Sequence, residues 1–486
     1  MRFGTTSGAH LIGLHAHLIT IEVDITRGLH SFTIVGLATR TVDESRDRIA
    51  AAIKNSGFQS PKHTNQKVIV SLAPADVRKD SAALDLPIAV AYLAACGIIT
   101  EPLDTYVCAG ELALDGSLRS IRGAINVAAC ASAHHKQCVF VPKENADEAA
   151  LIDTISVYPA SSLTEVLLHL TNKRRIERHL PPLLLKNNQP TASSRTHFDA
   201  IRGHATAKRA LTIAAAGRHS VALYGPPGTG KTLLAHALVS LLPPLTSDQI
   251  QEVTAIHSIT GHSHALVTEA PFRSPHHRTS YAALIGSAHT LLPGEISRAH
   301  HGVLFLDEFL EFHRDVIEAL RQPLEEKVVR ITSAGETCVF PADCICVIAF
   351  NPCPCGYRGH PHRPCTCTPR AIERYTKKLS GPIIDRIDMW IEVPYVPIED
   401  LLPMHAPTIE RCDTQPIPQI PPAADVQNML SPDARTLLTT AAKTLVLSPR
   451  SVHRVMRLSH TIAGLVGSAH IQKEHLLEAL SYRPKI

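Results

Sequence analysis

The chain has 486 residues, room for about three domains, and its 44% hydrophobic and 19% charged content suits a globular protein with real cores. A net charge of +4 is too small to imply any partner, so nucleic-acid binding would have to come from local patches. No apolar run reaches the roughly 18 residues of a membrane span, and MRFGTTSGAHLIGLHAHL lacks the order of a signal peptide, so the expectation is a cytoplasmic chain away from membranes. In a reducing compartment clustered cysteines favour metal or thiol chemistry over disulfides.

Residues 1–170 alternate β-rich runs (LITIEVDI, SFTIVGL, KVIVSL, CVFVP) with helical stretches such as VDESRDRIAAAIKNSG, which predicts an α/β domain. Residues 171–197 are rich in charge, Pro, Asn and Ser and read as a linker. A second α/β unit spans 198–398. Residues 399–430 are proline-dense, a connector. From 431 to 486 the pattern is helical: DARTLLTTAAKTLVL, PRSVHRVMRLSHTIAGL, KEHLLEALSYR. No internal repeat is present.

SVALYGPPGTGKTLLAHAL begins the chemistry. A strand leads into Gly225, Pro226, Pro227, Gly228, Thr229, Gly230, Lys231 and Thr232, and an apolar helix follows. Such a loop lets backbone N–H groups wrap phosphates at a helix N-terminus. Lys231 would reach the β/γ-phosphates of ATP and Thr232 would hold Mg²⁺. In GVLFLDEFLEF four apolar residues form a strand that ends in Asp307 and Glu308. Carboxylates at that end face the ligand crevice of an open α/β sheet. Asp307 would hold Mg²⁺ through water, and Glu308 would deprotonate the attacking water. Taken alone, the pair also fits an ordinary solvated strand end. The strand ICVIAFN ends in Asn351, placed to touch the γ-phosphate or that water.

This order of parts resembles the AAA+ ATPases. The resemblance makes Asn351 sensor 1, Arg386 in SGPIIDRIDMWIEVP a trans-acting arginine finger, and Arg450 in LSPRSVHRV sensor 2, with Arg454 as its competitor. A surface salt bridge is the ordinary alternative for each arginine. FDAIRGHATAKRALTIAAAGRHSVALYGPPGTGKT, PFRSPHH, PGEISRAHHGVLFLDE, NPCPCG and GPIIDRIDMWIEVP narrow the likeness to the magnesium-chelatase-like ATPases of the ComM/YifB family, over nearly the whole chain. That family implies a homo-hexameric, ATP-driven DNA motor, a helicase or translocase. It would promote branch migration on branched or single-stranded DNA during natural transformation. GELALDGSLRSIRGA and VFVPKENADEA resemble the proteolytic domain of Lon, but Ala83 and Ile125 stand where its serine nucleophile and lysine base would be; only Ser81 lies near. The implied fold class is a non-catalytic Lon-protease-like α/β domain, an AAA+ P-loop α/β domain and a C-terminal helical lid. Rival readings are a chelatase-type motor subunit acting on protein partners and a degenerate ATP-binding scaffold.

Cys353, Cys355, Cys365 and Cys367 form CxC-x9-CxC directly after Asn351. Four thiolates suit a tetrahedral structural Zn²⁺; free thiols are the alternative, with His360 and His362 as substitute ligands. EEKVVRITSAGETCVFPADCICVIAF reads as a hairpin turning near 333–336. The resemblance implies that it faces a pore and carries basic residues where Ser333 and Asp343 stand. That leaves Lys327, Arg330, Arg273 and Arg278 as the candidate DNA contacts.

Overall fold

The computed structural model describes residues 2–29, 31–36, 40–61, 65–75, 82–181, 198, 201–261, 266–333, 336–397 and 423–484. Ser81, most of the expected linker and most of the expected connector lie outside them. Among the described residues, no helix is long and apolar enough to cross a membrane.

The first unit is built on seven strands: β1 (Arg2–Ile12), β2 (His15–Arg27), β3 (Ser31–Val35), β4 (Gln66–Ala73), β5 (Tyr106–Cys108), β6 (Cys138–Pro142) and β7 (Ser156–Ala160). Their order across the sheet is β3-β4-β2-β1-β5-β6-β7, antiparallel around β1 and β2 and parallel towards β7. Along β2 buried and accessible residues alternate, so Ile19, Ile21, Val23 and Ile25 all face the core. Helices α1 (Arg40–Asn55), α2 (Asp85–Ala95) and α3 (Ala124–Ala133) belong to this unit. Ala83 and Ile125 are both buried.

The second unit holds α4 (Ala205–Gly217), β8 (Val221–Tyr224), α5 (Lys231–Ser240), α6 (Ser247–Thr260), β9 (Phe272–Arg273) and β10 (Val303–Leu306). Helix α7 (Arg321–Glu326), the hairpin β11 (Val328–Ser333) and β12 (Glu336–Pro341), β13 (Ile345–Phe350) and β14 (Met389–Glu392) follow. Five strands make an all-parallel sheet in the order β9-β10-β13-β8-β14. Every residue of β10 and β13 is buried, as a parallel strand covered on both faces requires; this is why VLFL and ICVIAF are unbroken apolar runs.

After Ser431 come α8 (Pro432–Thr444), α9 (Pro449–Leu465) and α10 (Lys473–Ser481). Helices α8 and α9 both start on a Ser-Pro pair. The serine hydroxyl accepts the backbone N–H three residues on, and proline fills the first helical position, where no N–H is needed. Val455, Met456, Leu458 and Ile462 of α9 pack on α4 and β8 in one core.

The two units touch through α3 and α6. Gly123 N–H donates to Ser258 Oγ at 2.9 Å, and Gln251 Nε2 donates to the Leu151 carbonyl at 2.8 Å. Ile125 packs with Leu151, Leu245, Ile250 and Val253. The position where the Lon likeness would want a lysine base is therefore sealed by apolar contact with α6.

Candidate functional site

All five parallel strands end on one edge, and that edge gathers most of the chemistry-bearing residues. Gly225 leaves β8 so close to its neighbour that a Cβ there would lie 2.1 Å from the Val393 carbonyl oxygen. Gly230, with φ +82°, turns the chain into the first turn of α5. The loop between them meets the positive end of the α5 dipole. Lys231 is buried, and its Nζ donates to the carbonyls of Gly225 and Pro226 at 2.8 Å each and to Asn351 Oδ1 at 3.2 Å. Desolvation lowers its pKa, partly opposed by the charge of Asp307. Thr229 Oγ1 closes the loop onto the Pro226 carbonyl at 3.0 Å.

Thr232 Oγ1 donates to Asp307 Oδ2 at 2.9 Å, and Glu308 N–H donates to Asp307 Oδ1 at 2.9 Å. A hydroxyl and a carboxylate side by side form a hard oxygen set of the kind Mg²⁺ accepts. Glu308 has φ +49° and ψ +44°, a left-handed conformation that costs a residue with a side chain roughly 1–3 kcal/mol. Its Oε2 lies 2.9 Å from His277 Nδ1. The parallel pairing explains the meeting: Arg273 sits opposite Leu304, so the chain four residues beyond each strand pair arrives together. His277 is the member of this group that the sequence reading missed. The PFRSPHH segment carries it, between Arg273 and Arg278.

Arg386 and Arg450 lie elsewhere. Both Asp388 N–H and Met389 N–H donate to the Ser220 carbonyl at 3.1 Å, which fixes the start of β14 beside the start of β8. Arg386 precedes that start. The phosphate loop follows the other end of β8, roughly 13 Å away for four residues at about 3.3 Å each. The Arg386 guanidinium pairs with Glu325 of α7 and donates to the Arg321 carbonyl at 3.1 Å. Arg450 Nη2 bonds the other Glu325 oxygen at 2.7 Å. With His453, Arg454 and Arg457 they line a cationic cavity of about 190 Å³. Arg454 is engaged differently: its Nη1 donates to Asp388 Oδ1 at 2.5 Å and to the Arg386 carbonyl at 2.6 Å. Its side chain is 18% exposed against 63% for Arg450. Arg450 is thus the accessible arginine and Arg454 a pin between α9 and the sheet.

The four cysteine sulfurs converge. Cys353 Sγ lies 3.4 Å from Cys355 Sγ and 3.6 Å from Cys365 Sγ, Cys355 and Cys365 are 3.6 Å apart, and all four lie within 4.8 Å of one another. Backbone N–H groups of Tyr357 and Thr366 bring the Cys355 thiol down to about 5. His360 and His362 turn their rings to Tyr395, so the cluster is sulfur alone.

Three of the four candidate DNA contacts are held in ion pairs. Arg273 is clamped by Glu295 through bonds of 2.5 and 2.9 Å, because β9 runs beside the short helix that carries Glu295. Lys327 pairs with Asp343 at 3.0 Å, and Arg330 with Glu326 at 3.3 Å. Burial raises the Asp343 pKa, but Arg218 and Lys327 outweigh it and hold the carboxyl below its usual range. Arg278 is exposed. The expected hairpin is present, Ser333 pairing with Glu336.

Three family models match parts of the chain: magnesium chelatase, subunit ChlI, over residues 197–401; subunit ChlI of Mg-chelatase over 21–145; and magnesium chelatase, subunit ChlI C-terminal, over 419–483. The uncharacterized protein YifB of Salmonella typhimurium is 39% identical over 495 residues, covering 97% of this chain and 95% of the relative. Competence protein ComM of Haemophilus influenzae is 37% identical over 497 residues, 98% and 96% of the two chains. YifB of Escherichia coli is 38% identical with 97% and 95% covered. Near-full-length identity at this level, together with the three models, shows that the chain belongs to the ComM/YifB-type magnesium-chelatase-like family.

Proposed function

We propose that the chain is the ATP-hydrolysing subunit of a hexameric ring that moves on branched or single-stranded DNA and promotes branch migration during recombination in natural transformation. The observation that carries this reading is the division of the site between two edges. Lys231, Thr232, Asp307, Glu308 and Asn351 gather at one end of the parallel sheet, and Arg386 and Arg450 gather at the other. A ring in which each protomer presents its arginine edge to the neighbour's phosphate loop completes the site. The competence name borne by the Haemophilus relative supports a role with incoming DNA.

In this reading Lys231 and the loop N–H groups hold the β/γ-phosphates of ATP. Thr232 and Asp307 would hold Mg²⁺, which when bound neutralises phosphate charge. Glu308 takes the proton of the attacking water, and Asn351 positions that water or the γ-phosphate. Arg386 of the next protomer meets charge developing on the γ-phosphoryl oxygens.

The four cysteines would hold a structural zinc ion. Tetrahedral Zn–S bonds of about 2.3 Å place sulfurs about 3.8 Å apart, close to the observed separations.

The test is the ATPase rate of the assembled ring with and without a four-way DNA junction at low salt. Stimulation that fades as salt rises supports the motor. Hydrolysis with neither DNA binding nor stimulation would turn the reading towards a chelatase-type subunit acting on proteins. No hydrolysis at all would leave a scaffold.

A further inference from the structure

Residues 351–368, between β13 and the helix Pro369–Thr376, contain no regular helix or strand. Irregular segments of this length are uncommon in compact domains and need something to hold them. A hydrophobic core does not hold this one. Within it only Cys353 and Gly356 are buried, and the rest are intermediate or exposed. Ordering each residue costs about 1–2 kcal/mol of backbone entropy; the His360 and His362 rings rest on Tyr395, and the converging sulfurs tie the head of the segment to its tail.

The turn at the head of this segment rests on the nucleotide site. Gly356 N–H donates to the Cys353 carbonyl at 2.9 Å, closing a tight turn directly after Asn351. Gly356 has φ +85°, and a Cβ there would come 3.0 Å from Pro227 Cδ, 3.2 Å from Pro227 Cγ and 3.8 Å from Asn351 Cγ. The backbone of the cysteine turn therefore lies against the phosphate loop and against the amide that bonds Lys231.

We propose that the four-thiolate site is a wall of the nucleotide pocket: its zinc ion locks the Cys353–Gly356 turn against Pro227 and Asn351, so ATP affinity depends on the metal. The metal contributes no chemistry to hydrolysis. It supplies the cross-link that a coreless segment lacks, and the cross-link fixes the surface on which the loop closes. The inference rests on the reading above that the thiolates bind zinc and the loop binds ATP.

The experiment uses full-length protein purified without chelator, with two measurements: zinc per chain by elemental analysis, and the dissociation constant for a fluorescent ATP analogue in Mg²⁺. Zinc is withdrawn with a chelator that leaves Mg²⁺ in solution, then restored. A Gly356→Ala variant keeps all four thiols while placing a methyl against Pro227. The expected result is about one zinc per chain. Affinity should fall about tenfold on withdrawal and recover on restoration, and Gly356→Ala should keep its zinc yet bind the analogue about tenfold more weakly. Should the variant lose zinc or unfold, the withdrawal and restoration arm decides alone, since it needs no substitution. Protein free of zinc that binds the analogue normally overturns the zinc reading and this inference together. Zinc that is present and removable, with affinity unchanged, overturns the inference and leaves the zinc site standing. An analogue that does not bind to the zinc-loaded protein overturns the ATP reading instead.

Discussion

Arg454→Met separates the two arginines that the sequence leaves in competition for the sensor 2 position. The substitution keeps most of the apolar stem and removes a guanidinium bonded to Asp388, whose side chain is 9% exposed. Burial alone would raise the Asp388 pKa; the neighbouring His219 imidazole, the Arg454 charge and the Ser220 N–H outweigh it and hold the carboxyl well below the usual range. Removing one partner of a buried pair costs ~3–5 kcal/mol. Asp388 keeps the Ser220 N–H at 2.9 Å and His219 at 3.7 Å, so the lower figure, about 3 kcal/mol, applies. At roughly 2 °C per kcal/mol for a unit of this size, the thermal midpoint should drop about 6 °C. Arg450→Ala, at a side chain 63% exposed, should stay within about 1 kcal/mol of wild type and lose turnover instead. Thermal scans of the full chain at matched pH read the first effect, and steady-state ATPase reads the second. Because the folded Asp388 pKa is depressed, its contribution is complete above the unfolded value of about 3.9 and is lost as pH falls through the folded one. The wild-type advantage should therefore be flat from neutral pH down to about 5 and shrink only in stronger acid. Adding Asp388→Asn should recover part of the loss, since no buried carboxylate then lacks its partner. Unchanged midpoints in Arg454→Met, or strict additivity with Asp388→Asn, would refute the assignment of Arg454 as a structural pin.

Glu308→Gln should bind ATP as wild type does and lose turnover by about 10²–10⁴-fold, the range a general base contributes; rapid turnover in that variant would remove Glu308 from the mechanism. Co-assembled Arg386→Ala and Glu308→Gln subunits should regain part of the wild-type rate, because some interfaces then pair an intact base with an intact arginine. His277→Ala should lower kcat with little change in nucleotide affinity, as expected of a group paired with the base; equal losses in both would mark it as structural. Arg273→Ala should lower thermal stability and reduce basal and DNA-stimulated hydrolysis together, because it breaks the clamp to Glu295. Selective loss of DNA stimulation would restore Arg273 as a DNA contact.

The parts legible in the sequence are those fixed by short-range rules. The phosphate loop is read from the spacing of Gly225, Gly230, Lys231 and Thr232, since a backbone wrapping phosphate needs those residues at those steps. Strand β10 is read from its four apolar residues, and α8 and α9 from their Ser-Pro starts. What the sequence hides depends on distant partners. Strand β1 pairs with β2 along its whole length, yet RFGTTSGAHLI mixes small and polar residues and gives little strand signal. Arg273 looks like a free cation until Glu295 is placed beside it, and Lys327 looks available until Asp343 is. His277 gains its meaning from the β9–β10 pairing, which no local pattern announces.

The same long-range placement bears on why hydrolysis by this fold would need more than one chain. Strand β8 carries the phosphate loop at its far end, and its near end is bonded to the start of β14, next to Arg386. Bringing Arg386 to its own phosphate loop would mean moving it the length of a buried strand, away from Glu325, the Arg321 carbonyl and the α9 pin. Arg450 is tied to the same edge through the same carboxylate. Glu325 bonds one arginine with each oxygen, so the two guanidiniums share a single counter-charge; Arg450 and Glu325 are accessible, and the Arg386 side chain behind them is 11% exposed. A triphosphate offers several anionic oxygens, enough to bond both guanidiniums. In the proposed ring, a triphosphate presented by a neighbouring chain would replace Glu325 and leave the buried Arg454–Asp388 pair behind it in place. An arginine pair held ready by a half-exposed carboxylate and anchored from behind by a buried one suits a site finished by contact between subunits.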